Sequence, residues 1–379
     1  MSLDRALTIA DLRRMARARL PRMVFDYIDG GADDEVALGL NETRLRDVKL
    51  VPDVLVDVSA VRTGVTVLGQ PSALPVFISP TAASRMFHTA GELAVARAAA
   101  AAGVPYSLST LGSTTIEDVG RAHPGGRNFQ VYVWKDRGVV RETLARAKAA
   151  GFTGLILTVD VPVAGNRERD PRNHFTIPPQ VNWHTATQTL ARPAWLWDLA
   201  TSAPIRPENF VEASKGHSGG VMEFLDKQFD RAVTWEDAAW MAREWGGPFA
   251  IKGVATADDA HRCLDCGATA VWVSNHGGRQ LDASPATIDL LPAVAEAVDG
   301  RAEVIFDGGI RRGQDAVKAL ALGATSCAIG RAYLWGLAAG GEAGVRRALA
   351  ILEADIRRTL ALIGCPDIAD LSGRFIARQ

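Results

Sequence analysis

From residue 75 onward the chain repeats one pattern, a short apolar run rich in β-branched residues followed by an alanine-rich amphipathic stretch closed by glycine. It begins with PVFISPTA and GELAVARAAAAAG, continues with PYSLST and TTIEDVGRA, then FQVYV and RETLARAKAAG, and reaches GLILTVD at 154–160. After a long interruption come FAIKGV and TADDAHRCLDCG, AVWVSNHG and PATIDLLPAVAEAV, AEVIFDGG and RGQDAVKALALG, and finally SCAIGRA with GEAGVRRALAILEADIRRTLALIG. Continuous apolar strands separated by helices predict a parallel sheet covered by helices. Eight such units predict a closed TIM (β/α)8 barrel. An open doubly wound sheet is disfavoured by the count of eight and by the absence of G-x-G-x-x-G after any strand.

Two segments fall outside the repeat. Residues 1–74 carry an amphipathic helix (IADLRRMARARL), a helical turn (PRMVFDYIDGGADDE) and a β-like stretch, VTVLG, placed to plug the barrel's N-terminal end. They are expected to cap a barrel spanning 75–379 within one domain of 1–379. The second segment, 161–233, follows the fourth strand and is rich in Pro and Trp; long insertions of this kind are usually lids or binding elements. Six of the nine tryptophans (Trp183, Trp195, Trp197, Trp235, Trp240 and Trp245) fall between 183 and 245, the last three in a helical stretch that should join the core.

At 379 residues the chain suits a barrel with insertions. Its 42 Lys+Arg against 43 Asp+Glu argue against nucleic acid as a partner, because phosphate-backbone binding needs a concentrated positive face. No stretch approaches the roughly 18 apolar residues of a membrane-spanning helix, and the charged N-terminus lacks the apolar core of a secretory signal. A cytoplasmic location is expected. Four cysteines are too few for a disulfide scaffold. Cys263 and Cys266 form a C-x-x-C without a second pair, and Cys327 and Cys365 stand alone; a structural role is expected. The seven histidines include no H-E-x-x-H.

In such a barrel the active site lies at the C-terminal ends of the strands. Polar residues placed there among apolar neighbours call for explanation, since uncompensated burial is costly. They are Gln130 and Tyr132 on the third strand, Thr158 and Asp160 on the fourth, Lys252 on the fifth, and Ser274 and His276 on the sixth. Residues two apart share a strand face, so four strands aim hydrogen-bonding groups at one mouth. The ends of the last two strands read DGGIRRG and IGRA, where barrels frequently bind phosphate on glycine turns and a helix N-terminus. Arg311 and Arg331 would add charge-assisted hydrogen bonds, implying a phosphorylated substrate or cofactor.

SNHGGRQLD (274–282), LTVDVPVAGNRERD (157–170), FQVYVWKDR (129–137), IKGV (251–254), DGGIRRG and IGRA together resemble the FMN-dependent α-hydroxy acid dehydrogenase and oxidase family. The resemblance runs from about Leu20 to the C-terminus and is strongest to its bacterial (S)-mandelate and L-lactate dehydrogenases. It implies FMN as cofactor and oxidation of a 2-hydroxy acid to a 2-keto acid. His276 matches the active-site base, suited to proton transfer near neutral pH, and Asp160 the carboxylate that orients it. Arg167 and Arg279 match the pair gripping the substrate carboxylate; Tyr27 and Tyr132 match the substrate-bonding tyrosines. Lys252 matches the lysine beside the flavin N1 and C2 carbonyl, where a cation stabilises the reduced flavin. Pro80, Thr81, Ala82, Ser109, Gln130, Thr158 and Ser274 match positions around the isoalloxazine and ribityl groups, and Asp307, Gly309, Arg311, Gly330 and Arg331 the ribityl and phosphate end.

Short-chain glycolate oxidases carry tryptophan where this chain has Leu111; with Phe87 and Met86 on the same wall, lactate and larger or aromatic acids are both admissible. The electron acceptor is a quinone or cytochrome in a dehydrogenase and O2, giving H2O2, in an oxidase. The resemblance further implies peripheral contact of 161–233 with the inner face of the cell membrane, for which ARPAWLWDLATSAPIRP offers Trp195 and Trp197 with Arg192 and Arg206; a mobile lid is the other reading. A homo-oligomer, a tetramer, is also implied. An FMN-dependent isomerase acting on a diphosphate is the remoter alternative, and Arg167 and Arg279 speak against it.

Overall fold

The computed structural model describes residues 2–214, 225 and 227–377; the stretch of the insertion between 214 and 227, apart from 225, lies outside the described residues. Each of the eight predicted runs is a strand: β3 (Val76–Ile78), β4 (Tyr106–Ser109), β5 (Arg127–Val131), β6 (Gly154–Thr158), β7 (Phe249–Val254), β8 (Ala270–Val273), β9 (Glu303–Phe306) and β10 (Ser326–Ile329). They close in the order β10-β3-β4-β5-β6-β7-β8-β9, every pairing parallel. Large side chains fill the interior, as a packed barrel core requires. Phe77 and Trp272, from strands not adjacent in the barrel, meet edge to face at 5.4 Å.

The VTVLG stretch forms the ribbon β1 (Val65–Val67) with β2 (Gln70–Ser72). It lies across the strand N-termini as expected: the Leu68 and Gly69 amides donate to Glu303 at the start of β9, and Gln70 Nε2 to the buried Asn128 of β5 at 2.9 Å. The helix Ile9–Arg19, opened by a Thr8/Asp11 capping box, packs on the long C-terminal helix Arg331–Leu362. That helix breaks at Gly340 and Gly341.

The helix Arg22–Asp29 ends over the barrel mouth, and the guanidinium groups of Arg279 and Arg331 take up its last carbonyls. Arg279 donates to the Tyr27 and Gly30 oxygens at 2.6 and 3.2 Å. Arg331 donates to those of Ile28 and Gly30 at 3.0 and 2.8 Å. Orphan carbonyls at a helix C-terminus carry partial negative charge, so the two cations fix the position of Tyr27. The next helix, Val36–Asp47, is tied to the loop after β8 by a reciprocal Asn41–Asn275 amide pair.

The insertion contains the helices Arg169–Arg172, Ala186–Leu190 and Pro193–Thr201. Trp195 does not face outward as expected: it is buried at 3% exposure and its indole N–H donates to the Met86 carbonyl at 2.9 Å. Arg192 donates to the Leu20 carbonyl and Arg206 pairs with Glu208, so neither flanking cation is idle. Trp183 and Trp197 are exposed, at 80% and 70%. In the helix Trp235–Trp245, Trp245 is buried, whereas Trp235 and Trp240 are half-buried against the core. Cys263 is buried, Cys266 half-buried, and both thiols are free. Burial pushes the Cys263 thiol up to about 12, which suits an inert packing residue. Among the described residues no group of three or more His, Cys, Asp or Glu could hold a metal.

Candidate active site

A cavity of about 680 Å³ opens at the C-terminal mouth of the barrel. Every residue the sequence nominated for the site lines it except Asp160, Ser274 and Met86; Asp160 and Ser274 stand directly behind residues that do. Several groups lie just past the strand ends instead of on them: β5 ends at Val131, β6 at Thr158 and β8 at Val273. The period-two argument therefore fails at His276. That residue is left-handed at φ +56°, followed by Gly277 and Gly278 at +64° and +73°. The N-H-G-G turn, not strand alternation, aims the imidazole, and a non-glycine residue held at positive φ is the kind of strain that sites tolerate when the surroundings fix it.

At the cavity's catalytic end His276 Nδ1 lies 3.0 Å from Asp160 Oδ1. Burial alone would raise the Asp160 pKa, but the neighbouring His276 and Lys252 charges and the imidazole hydrogen bond hold it below its ordinary value. A carboxylate on Nδ1 selects the tautomer that leaves Nε2 as the proton acceptor. Gln280 braces the pair: its Nε2 donates to the Asp160 and Val163 carbonyls at 3.1 and 2.9 Å, and its Oε1 accepts from the Gly165 amide. It stands within the quoted SNHGGRQLD motif, yet only the folded contact reveals its role.

Two guanidinium groups frame the Tyr27 ring, Arg167 at 5.3 Å and Arg279 at 5.0 Å from its centroid. Burial lowers the Arg279 pKa, and repulsion from Arg167 lowers it further. Two half-buried cations facing one space favour an anion between them. Tyr132 is half-buried against the core, and its loss of solvent together with the Asp160 charge drives its hydroxyl pKa well up, so it remains a neutral donor.

On the adjoining wall Lys252 Nζ donates to Ser274 Oγ at 2.8 Å and pairs with Asp307 Oδ2 at 3.3 Å. Ser274 donates to Asp307 Oδ1 at 2.7 Å, and Trp272 Nε1 to Asp307 Oδ2 at 3.0 Å. Gln130 Oε1 accepts from Ser109 Oγ and the Thr110 amide, both at 3.2 Å, while its Nε2 is buried with no partner among the described residues. The fully buried Glu92, not singled out by sequence, accepts from the amides of Ser84 and Ser113 and the hydroxyls of Ser113 and Thr114. It thereby ties together the loops after β3 and β4. Thr81 hydrogen-bonds Tyr333. Leu111 and Phe87 line the cavity; Met86 does not, its side chain being buried in the core.

The opposite end is electropositive. Burial, then the charges of Arg279 and Arg311, lower the Arg331 pKa to about 9, and burial also lowers that of Arg311. A side chain on Gly330 would meet nothing within 4 Å, which leaves open room at the start of the helix Arg331–Leu362. Gly309, at φ +80°, could carry no side chain without running into the Asn41 backbone.

These observations fit FMN. The unpartnered Gln130 amide and the buried Lys252 face the cavity's middle, where a heterocycle with carbonyl and ring-nitrogen edges would accept hydrogen bonds. The repelling arginines and the exposed helix N-terminus suit a phosphate. The Arg331 guanidinium is itself engaged by the carbonyls of Ile28, Gly30 and, at 2.9 Å, Gly277, so it offers phosphate mainly its charge and its place at the helix start.

Comparison with known proteins agrees. A protein of Mycobacterium tuberculosis carrying an L-lactate dehydrogenase name is 46% identical over 377 residues, 99% of this chain and 90% of that one. An L-lactate oxidase of Nostoc is 42% identical, covering 98% of each chain. Among solved structures, (S)-mandelate dehydrogenase, described as a monotopic membrane protein, superposes with a TM-score of 0.93 at 39% identity, covering 99% of this chain and 100% of that one. The model of the FMN-dependent dehydrogenase family matches residues 16–378, and the chain belongs to that family.

Proposed function

We propose that this chain oxidises an (S)-2-hydroxy acid to the 2-keto acid, with His276 as the base. The observation that carries this reading is His276, held from behind by Asp160, standing in the same cavity as the two cations at Tyr27. When bound, FMN supplies the two-electron acceptor for the substrate carbon. Arg167 and Arg279 grip the substrate carboxylate and Tyr132 donates to the substrate, which orients the hydroxyl-bearing carbon. His276 Nε2 takes the proton released on oxidation, and Asp160 stabilises the resulting imidazolium. Lys252 holds a fixed positive charge beside the heterocycle through its contacts with Ser274 and Asp307. Anaerobic titration of the FMN-loaded protein with a panel of 2-hydroxy acids tests the reading: bleaching of the flavin supports it, and no bleaching with any member refutes it.

We further propose a quinone- or cytochrome-type electron acceptor reached at the membrane. Among the described residues no helix is long and apolar enough to cross a membrane, but Val181, Trp183, Leu190 and Trp197 of the insertion expose apolar side chains. Aromatic and aliphatic groups on short helices suit an interfacial contact. Admitting air to the reduced protein separates the possibilities: slow recolouring with rapid reoxidation by a quinone supports a dehydrogenase, and fast recolouring supports the oxidase seen among the relatives.

A further inference from the structure

The cavity has one wall whose residues the sequence did not single out. The insertion returns to the barrel along the segment that follows β5. Lys135 N donates to the Gln228 carbonyl at 2.8 Å, Asp230 N donates to the Val133 carbonyl at 3.3 Å, and Trp134 and Phe229 form an antiparallel bridge between them. Arg137 fastens this return limb by pairing with Asp230 at 2.9 Å and Asp237 at 2.7 Å. Trp134 and Phe229 both line the cavity, their ring centroids 6.0 Å apart. Both also pack on Tyr132, at 6.3 and 5.7 Å. Tyr132 belongs to the substrate end, since the charges of Asp160, Arg167 and Arg279 act on it. The two rings therefore stand beside the position of the reacting carbon, away from the arginines at the phosphate end.

We propose that Phe229, backed by the buried Trp134, forms the surface that receives the substrate's R group, and that this surface selects a 2-hydroxy acid bearing an aryl or similarly broad apolar group over one bearing a methyl. A methyl group leaves most of the half-buried Phe229 ring without a partner. An aryl group covers it in an offset or edge-to-face contact, while Trp134, packed on Phe210 and Phe229, holds the ring from behind. The tyrosine face across the cavity is aromatic as well, Tyr27 stacking on Phe175 at 4.4 Å and on Phe87 at 6.3 Å. Because Phe229 comes from a limb of the insertion latched by Arg137, R-group choice can change without disturbing the His276 pair.

The inference rests on the 2-hydroxy acid reading, and the test separates the two. Flavin reduction is measured anaerobically with (S)-mandelate and L-lactate for the native chain and for Phe229→Ala, Phe229→Leu and Trp134→Phe. In parallel, phenylglyoxylate and pyruvate are titrated through the perturbation of the flavin spectrum. The native chain should prefer mandelate. Phe229→Ala should lower the mandelate-to-lactate ratio of kcat/KM by at least about tenfold, chiefly through KM, and weaken phenylglyoxylate more than pyruvate. Phe229→Leu should recover part of the loss, with FMN content unchanged across the set. A native preference for lactate, or an equal loss for both acids in Phe229→Ala, overturns the proposal while leaving the oxidation of 2-hydroxy acids intact. Reduction by neither acid, with FMN bound, refutes the reading beneath it and the proposal with it.

Discussion

The two halves of the cavity are built on different physical terms. At the barrel mouth each reacting group is held by at least one buried or part-buried bond to another loop: His276 by Asp160, Asp160 by Gln280 through its backbone, and Lys252 by Ser274 and Asp307. The insertion is held at intervals, among them by the Trp195 indole and by the Arg137 latch, and it leaves Trp183 and Trp197 in solvent. The mouth is suited to moving a proton at a fixed atom, where small displacements are costly. The insertion is suited to meeting surfaces that vary, namely the R group inside and a partner phase outside. Variants should therefore separate cleanly, those at the mouth changing the rate of chemistry and those in the insertion changing what is bound.

The largest effect expected is at the proton acceptor. His276→Gln should lower the rate of anaerobic flavin reduction by about 10²–10⁴-fold while FMN stays bound; a rate near native would break the division between mouth and insertion. Next, Arg279→Lys removes the planar fork and keeps the charge. It should cost about 10- to 100-fold in kcat/KM, by the scale of a charge-assisted hydrogen bond, and should also loosen the Arg22–Asp29 helix, readable as faster amide exchange there. A smaller effect concerns the phosphate end. The Arg331 pKa is lowered to about 9, and an anion favours its charged form. FMN affinity, followed by quenching of flavin fluorescence, should thus be full below pH 9 and weaken as pH rises through that value; a flat profile from pH 7 to 10 removes Arg331 from the phosphate site. The smallest is in the insertion: Trp197→Ser should reduce sedimentation with anionic lipid vesicles severalfold and leave flavin reduction in solution as it was. Unchanged partitioning would mean that the exposed tryptophans serve some other contact.

Legibility in the sequence followed the range of the forces involved. The eight strands and their helices were readable because apolar runs and amphipathic periods are local, and the ribbon under the barrel because VTVLG is followed within a few residues by its own partner. The residues of the site were readable as types at strand ends. Their roles came from the resemblance, since nothing local says that Asp160 meets a histidine 116 positions away. The strand-alternation argument aims Gln130 and Thr158 at the mouth, where both line the cavity, and breaks at His276, where left-handed backbone takes over. Trp134 and Phe229, Gln280 and Glu92 were overlooked because each acts through a contact closed only by the folded chain. Trp195 was misplaced for a related reason: a tryptophan beside arginines in a Pro-rich stretch has the composition of an interface, and only the Met86 carbonyl shows that its face is turned inward.

The carbonyls at the end of the Arg22–Asp29 helix are held by Arg279 and Arg331, and both arginines also border the cavity. Docking of the first thirty residues and loading of the cavity with anions therefore draw on the same two cations and are coupled, each altering the free energy of the other by an equal amount. Removal of that segment would do more than take away Tyr27: it would free two half-buried guanidinium groups to move, and an enzyme trimmed there should lose its grip on FMN phosphate and substrate carboxylate in a single step.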